Sequence, residues 1–239
     1  EMLRSLVGSE MCIRDRKHFC ANNTENERGT ASSDVDMRTL NEYYYAAFER
    51  PITSGGAYSV MVAYNELSGV PAVINPDIQK VLKDRWGLGF VVTDGGDFSQ
   101  NVTFHKYSES HAETIALAIK NGTDVMTDCE DVVEAAVFEA LNSGLVSEED
   151  IDKALYNSLL ARFRLGEFDE KHPFSDVCEM MIDNEEHKRL NRRAALEQMV
   201  LLRSSDILPI YDECSVAVVG MNGNCNLMDW YTCLLYTSD

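Results

Sequence analysis

From residue 17 onward, short runs rich in β-branched and aromatic residues alternate with longer stretches of helical period, and this alternation constrains the chain more than any other feature. Three runs stand out: 58–64, with Asn65 and Gly69 beyond it; 89–93, ending at Asp94-Gly95-Gly96; and the brief 124–126, which follows Asn121-Gly122. Residues 17–20 read as a fourth. Parallel neighbours in a sheet need a crossover of a dozen or more residues, usually a helix, so the pattern predicts an α/β fold on a parallel sheet.

The helical stretches have recognisable ends. Residues 36–48 carry Leu40, Tyr44 and Phe48 on one face, 77–85 follow Pro76, and 111–120 close on Asn121-Gly122. Residues 131–142 stop before Gly144, and 147–165 open on a serine and three acidic residues that suit an N-cap and the helix dipole. Residues 166–184 show no period and read as a linker. Beyond it, 185–202 predict a helix and 216–219, before Gly220, the first buried strand of another α/β layer. The expected organisation is one domain over 17–165, the linker 166–184, and the start of a second domain over 185–232.

Both ends are expected to be foreign to the fold. Met11-Cys12-Ile13-Arg14-Asp15-Arg16 can be encoded by a string whose reverse complement, one frame over, spells Cys233-Leu234-Leu235-Tyr236-Thr237. A sequencing adapter joined to both ends of a DNA fragment would produce that inverted repeat. Residues 1–16 and 233–239 are therefore expected to be adapter-like, and the rest an internal stretch of a longer gene.

Composition narrows the function classes. With 40 acidic against 21 basic residues the formal charge is −19, which repels phosphate backbones and anionic membranes, so nucleic acid and membrane are not expected partners. No run approaches the ~18 apolar residues of a spanning helix. Setting aside Cys12 and Cys233, the cysteines Cys20, Cys129, Cys178, Cys214 and Cys225 are scattered without CxxC spacing, which points away from zinc and disulfides and towards a reducing cytoplasm. His105, His111, His172 and His187 show no metal spacing and read as surface or helix-cap residues. No phosphate-loop or dinucleotide fingerprint is present, and neither metal nor cofactor is expected.

In a parallel sheet or barrel, residues at the carboxyl ends of strands face the ligand crevice. Asp94 stands there with two glycines behind it, although an aspartate that merely caps the next helix would look the same. Lys17 and His18 put a cation and an imidazole side by side, and reach one ligand together only at a bulge or strand end, because neighbouring side chains in a strand point to opposite faces. Tyr64 and Asn65 offer a phenol and an amide to the hydroxyls of a ligand, with Met61 as an apolar surface that core packing explains equally well.

The order Lys17-His18-Phe19, Asn22-Asn23, Arg28, then Val60 to Asn65 with Gly69-Val70-Pro71, then Trp86-Gly87 and Gly89 to Asp94 resembles glycoside hydrolase family 3. So do Ala118 with Asn121 to Asp124, Arg162 to Gly166 with Phe168-Asp169, and Ala194-Ala195 with Val200 to Leu202 and Leu208-Pro209. The resemblance covers almost everything between the two ends. It implies the later half of a (β/α)8 TIM-type barrel followed by the start of an α/β sandwich domain. It further implies Asp94 as catalytic nucleophile, Lys17 and His18 as the pair holding sugar hydroxyls, and Met61 and Tyr64 as residues lining that subsite; Arg28 receives no role. The family's early-barrel aspartate and arginine would lie upstream of Lys17, and its acid/base carboxylate in the sandwich domain, both outside this chain. Gly95 stands where family β-glucosidases often carry tryptophan, which leaves glucoside or xyloside preference open. Cys20-Ala21-Asn22-Asn23 after Lys17-His18-Phe19 departs from the N-acetylglucosaminidase branch.

The implied activity is that of a retaining, exo-acting β-glycosidase that releases terminal β-D-glucosyl or β-D-xylosyl residues through a glycosyl-aspartate, with a carbohydrate as its partner and no cofactor. Attack on the anomeric carbon requires a carboxylate, and a cation alongside favours that form. A catalytically dead carbohydrate-binding relative is the alternative from another class, and a Schiff-base lyase or aldolase on an unrelated barrel is a third.

Overall fold

The computed structural model describes residues 15–171, 175–204, 208–211, 213–220 and 223, which fall in two compact units dividing between Ser175 and Asp176. Cys12, Cys225 and Cys233, His172, Pro173 and Phe174, and the adapter-like runs apart from Asp15 and Arg16, lie outside the described residues.

The strands are β1 (Asp15–Phe19), β2 (Ser32–Ser33), β3 (Ser59–Val62), β4 (Glu66–Leu67), β5 (Val70–Pro71) and β6 (Phe90–Val92). The main sheet is parallel, in the order β1-β3-β6, with Val60 paired to Arg16 on one side and to Val91 on the other. Neighbours in the sheet thus follow chain order with helical segments between them, as the alternation predicts. Residues 124–126, expected as a strand, contribute a single parallel bridge from Val125 to Val92. Pairing passes there from main chain to side chain: Thr127 Oγ1 donates to the Thr93 carbonyl at 2.6 Å, and the Thr127 N–H donates back to Thr93 Oγ1 at 2.8 Å.

A second, small sheet was not anticipated. β4 and β5 form an antiparallel hairpin whose tip, Ser68-Gly69, takes positive φ at both residues, and β2 pairs parallel to β4. Two-residue strands leave too little alternation to read.

The helical stretch expected over 36–48 departs from a simple period. α1 (Met37–Thr39), capped by the Asp36 carboxylate, runs into a π-helical turn, Leu40–Tyr44, and then into α2 (Ala46–Thr53). The Tyr45 N–H donates to Leu40 O, five residues back, at 2.8 Å. That extra residue turns Tyr45 inward, 1% exposed, where its ring stacks on Phe19 at 5.4 Å and meets Trp86 edge-on at 5.7 Å. Its hydroxyl donates to the Asp77 carboxylate, supplying the partner a buried phenol needs. Pro51 inside α2 has no N–H for Ala47 O, and the Arg16 guanidinium donates to that carbonyl instead, at 3.2 Å.

Residues 77–85 form a second π-helical segment, Ile78–Arg85. The remaining helices are α3 (Asp97–Thr103), α4 (His111–Lys120), α5 (Glu130–Asn142), α6 (Glu148–Arg164) and α7 (Glu185–Glu197). α6 opens on a full capping box between Ser147 and Asp150. α7 stops at Glu197 rather than running to 202, and 216–219 form no strand: Val216, Val218 and Val219 are exposed. A strand is stable only beside a partner, and no described segment pairs with this one.

The core is apolar where the strands are. Phe19, Val60, Val62, Val91, Ile78 and Leu82 are buried in one cluster, and Phe98, Ile115, Ala136 and Ala140 anchor another between α3, α4 and α5. Each large side chain so buried contributes about 1.5–3 kcal/mol of transfer free energy. Among the described residues, no helix is long and apolar enough to cross a membrane.

Candidate active site at the strand ends

Asp94 leaves β6 two residues past its last paired position, where Thr93 is laced to Thr127 and the Gly96 N–H donates to Thr127 O at 3.3 Å. This pins the turn from both sides. The carboxylate is then oriented by its surroundings: Oδ1 accepts from the Gly95 N–H at 2.8 Å, and Oδ2 lies 2.9 Å from His18 Nε2. The ring nitrogen is close but not aimed along that line, so the contact is charge and proximity rather than an aligned hydrogen bond. The Asp94 side chain is 14% exposed and that of His18 is 30%, so the pair presents an edge to solvent.

His18 arrives from β1, whose register against β3 shifts between Arg16 and Phe19. This is the bulge that the Lys17-His18 pair requires if both are to serve one ligand. Burial lowers the His18 pKa from its ordinary value, Asp94 raises it, Lys17 lowers it, and Glu25 and Arg28 oppose each other in the same way. Lys17 is exposed and enters the site through its charge on His18.

Tyr64 follows β3, its hydroxyl donating to the Gly95 carbonyl at 2.7 Å. Burial, and then the Asp94 carboxylate, push its phenol above the ordinary range. Met61 is half-buried in β3, beside Val92 in register; its place in the site rests on that register alone. Asn65 belongs elsewhere. It is buried, and its amide donates to Cys20 O, Ser33 Oγ and Glu66 O, so it stitches loops together instead of facing a sugar.

Two residues around the site, Asp97 and Asp128, were not found by sequence reasoning, and a third, Arg28, was named there without a role. Arg28 lies over the Tyr64 ring at 4.2 Å, and its guanidinium pairs with Glu25. Asp97 is 1% exposed, with Oδ2 lacking a hydrogen-bond partner among the described residues; burial, then the Asp94 and Asp128 charges, raise its pKa well above the usual carboxylate value. Asp128 caps α3 from a distance, accepting from the Phe98 and Ser99 N–H groups and from Ser99 Oγ. His105, read from sequence as a surface or cap residue, has a wholly buried side chain. Only the Arg28 position carried a signal, a charged residue in the loop after β1; the others depend on packing.

A cavity of ≈ 750 Å³ borders Lys83, Asp124, Tyr156 and Asn157 but none of Asp94, His18 and Tyr64. Asp124 there is already engaged by Lys83 Nζ at 2.7 Å, Asn157 Nδ2 at 2.9 Å and the Val91 N–H at 2.8 Å, which ties α6 to β6. Among the described residues, no three His, Cys, Asp or Glu side chains converge to hold a metal ion.

The arrangement offers one oriented carboxylate with an imidazole against it and a phenol behind its backbone. Such a group can attack an electrophilic carbon or accept a proton, and the flanking donors and acceptors suit a polyhydroxylated ligand.

No protein-family model matches the chain. Curated relatives do. It is 31% identical over 219 residues to the "Probable exo-1,4-beta-xylosidase" of Aspergillus clavatus, covering 87% of this chain and 28% of that one. It is 33% identical over 208 residues to thermostable beta-glucosidase B of Acetivibrio thermocellus, covering 85% and 25%. To a beta-glucosidase of Rhizobium radiobacter it is 36% identical over 212 residues, covering 86% and 24%. Among solved structures, a GH3 exo-beta-xylosidase in complex with a xylobiose aziridine activity-based probe superposes with a TM-score of 0.68 at 26% identity, over 84% of this chain and 27% of that one. A β-glucosidase from Erythrobacter marinus gives 0.67 at 29%, over 81% and 26%. The chain thus spans about a quarter of the length of the relatives it matches.

Proposed function

Because this stretch of chain belongs to glycoside hydrolase family 3, we propose that it serves, within a longer protein, to hydrolyse terminal β-D-glucosyl or β-D-xylosyl residues with retention, Asp94 forming the glycosyl-enzyme. The fold we propose for the complete first domain is a (β/α)8 barrel, of which this chain supplies the later half, with a sandwich domain following it. One observation carries the catalytic part: a carboxylate at a strand end, held at one oxygen by the Gly95 N–H and faced at the other by His18 at 2.9 Å.

Retention needs two carboxylates, usually ~5–5.5 Å apart, one attacking the anomeric carbon and one protonating the leaving oxygen. Asp94 takes the first role, and the second comes from outside this stretch. His18, held towards its neutral form, stands with Nε2 beside Asp94 and turns its other ring nitrogen to a sugar hydroxyl, while Lys17 donates to another. Tyr64 and Met61 wall the subsite. The 239-residue chain by itself, lacking the acid/base partner, is inactive. The scattered cysteines, without CxxC spacing, are the ground for placing the protein in a reducing compartment.

The test is kinetic and covalent. The full-length protein, given matched aryl β-xyloside and β-glucoside, turns over at least one, and Asp94→Ala lowers kcat by about 10³-fold or more. A 2-fluoro glycoside adds its glycosyl mass to the peptide containing Asp94. Label on another residue, or an active Asp94→Ala, overturns the assignment; tight sugar binding without turnover favours the carbohydrate-binding relative instead.

A further inference from the structure

His105 is a buried group that the proposed chemistry does not use. It lies just past the end of α3, and its side chain is 0% exposed while its main chain faces outward. One ring nitrogen, Nδ1, is 3.1 Å from Glu66 Oε1, and the other, Nε2, is 2.9 Å from the Tyr64 carbonyl oxygen. The Tyr64 carbonyl can only accept, so Nε2 donates to it, while Nδ1 is held on the other side of the ring by Glu66.

The connectivity gives this contact a direction. Tyr64 is held at its carbonyl by His105 and reaches with its hydroxyl to Gly95 O, the residue directly after Asp94. α3 closes the ring: it starts at Asp97, and the His105 N–H donates back to Gln100 O within it. Tyr64 is thereby clamped between the two ends of the segment that carries Asp94. A filler whose only task was to occupy space would need no hydrogen bonds; this one makes two, to Tyr64 just past β3 and to Glu66 at the start of β4.

We propose that His105 is a positioning residue for the glycosidase reaction, acting through Tyr64, whose hydroxyl fixes the Gly95 carbonyl and so the aim of the Asp94 carboxylate. This rests on Asp94 being the nucleophile. Attack needs the reacting atoms in a near-attack geometry, and displacements of about 1 Å from remote changes can cost on the order of 10²-fold. Binding of the sugar, made largely by other groups, changes far less.

The experiment uses the full-length enzyme with matched aryl β-xyloside and β-glucoside, comparing wild type, His105→Leu, His105→Gln, Tyr64→Phe and the His105→Leu/Tyr64→Phe double variant, each with a thermal melt. His105→Leu lowers kcat about 10- to 100-fold with KM within about 3-fold. His105→Gln, whose amide still donates to the Tyr64 carbonyl, recovers most of the loss. In the Tyr64→Phe background, His105→Leu costs less than about 3-fold more, because the contact it aligns is already gone. Should His105→Leu fail to fold, Glu66→Ala replaces it in both backgrounds with the same two expectations.

A folded His105→Leu with unchanged kcat, a full additional loss in the Tyr64→Phe background, or a folded His105→Gln that recovers nothing overturns the proposal while leaving an active wild type. A wild type that hydrolyses neither substrate overturns the glycosidase reading, and this inference with it.

Discussion

His18 meets Asp94 and Glu25 on one side of its charge balance and Lys17 and Arg28 on the other, and burial tips it towards the neutral imidazole. By histidine NMR its midpoint falls below the ordinary 6.5, and Asp94→Asn, which removes the largest raising charge, moves it lower still. A folded-state value below the unfolded one means the unfolded chain binds more protons in that window, so this group subtracts stability as pH falls through and below 6.5. Asp97 runs the other way. Its raised value means the buried acid is tolerated when protonated and costs stability as pH rises above the unfolded 3.8. Asp97→Asn is expected to raise the melting temperature at pH 7 by about 2–4 °C, roughly 1 kcal/mol, with the gain vanishing near pH 3. Asp94, His18 and Tyr64 were legible because each stands at a strand end. Asp97 and His105 were not, since a titratable residue in a polar heptapeptide or a loop shows nothing of its burial until distant segments close over it.

At the scale of elements, α4 matches its expected bounds of 111–120, and α5 and α6 begin or end within one residue of theirs. These helices announce themselves through local chemistry: Ser110 and Ser147 caps, acidic first turns, and Gly122 and Gly144 in the left-handed region just beyond the ends. The stretch from Asp36 does not, because a 3.6-residue period assumes an unbroken ladder and Leu40–Tyr44 inserts one residue into it. The consequence is measurable in chemical denaturation. Tyr45→Ala, which empties a site packed by Phe19 and Trp86, costs about 3–5 kcal/mol, whereas Tyr44→Ala, at a half-buried position, costs about 1. Equal losses would mean the regular period holds after all. α3 was missed for a related reason: its cap is Asp128, some thirty residues away, and its sequence has no apolar period.

On the scale of the whole molecule, the two compact units differ in how they are held. In the unit ending at Ser175 the apolar residues of β1, β3 and β6 are buried, whereas in the other unit Leu202 is 92% and Val219 86% exposed, and no residue of α7 is buried. Backbone that buries little opens readily. Limited proteolysis of the 239-residue chain is therefore expected to cut first within 199–204 or 213–220 and to leave β1 through α6 as one resistant piece, read by mass spectrometry; early cuts inside 59–92 would contradict this. The parallel order of the main sheet was legible in the alternation of runs and helices, but the strand expected over 216–219 was not realised, because alternation of apolar residues specifies a willingness to pair and cannot supply the neighbour.

The amino-acid sequence alone determined the α/β class, the order of most elements, and the aspartate at the end of the 89–93 run, because these depend on backbone propensity, side-chain period and turn chemistry acting over a few residues. Only the tertiary structure decided which tyrosine enters the core, that Asn65 is spent on loops, that Arg28 and His105 both meet Tyr64, and that Asp97 is buried within reach of the Asp94 charge. Those outcomes are set by contacts between residues tens of positions apart, and whether a polar group is desolvated, paired or left facing solvent is a property of the packed chain that no local pattern encodes.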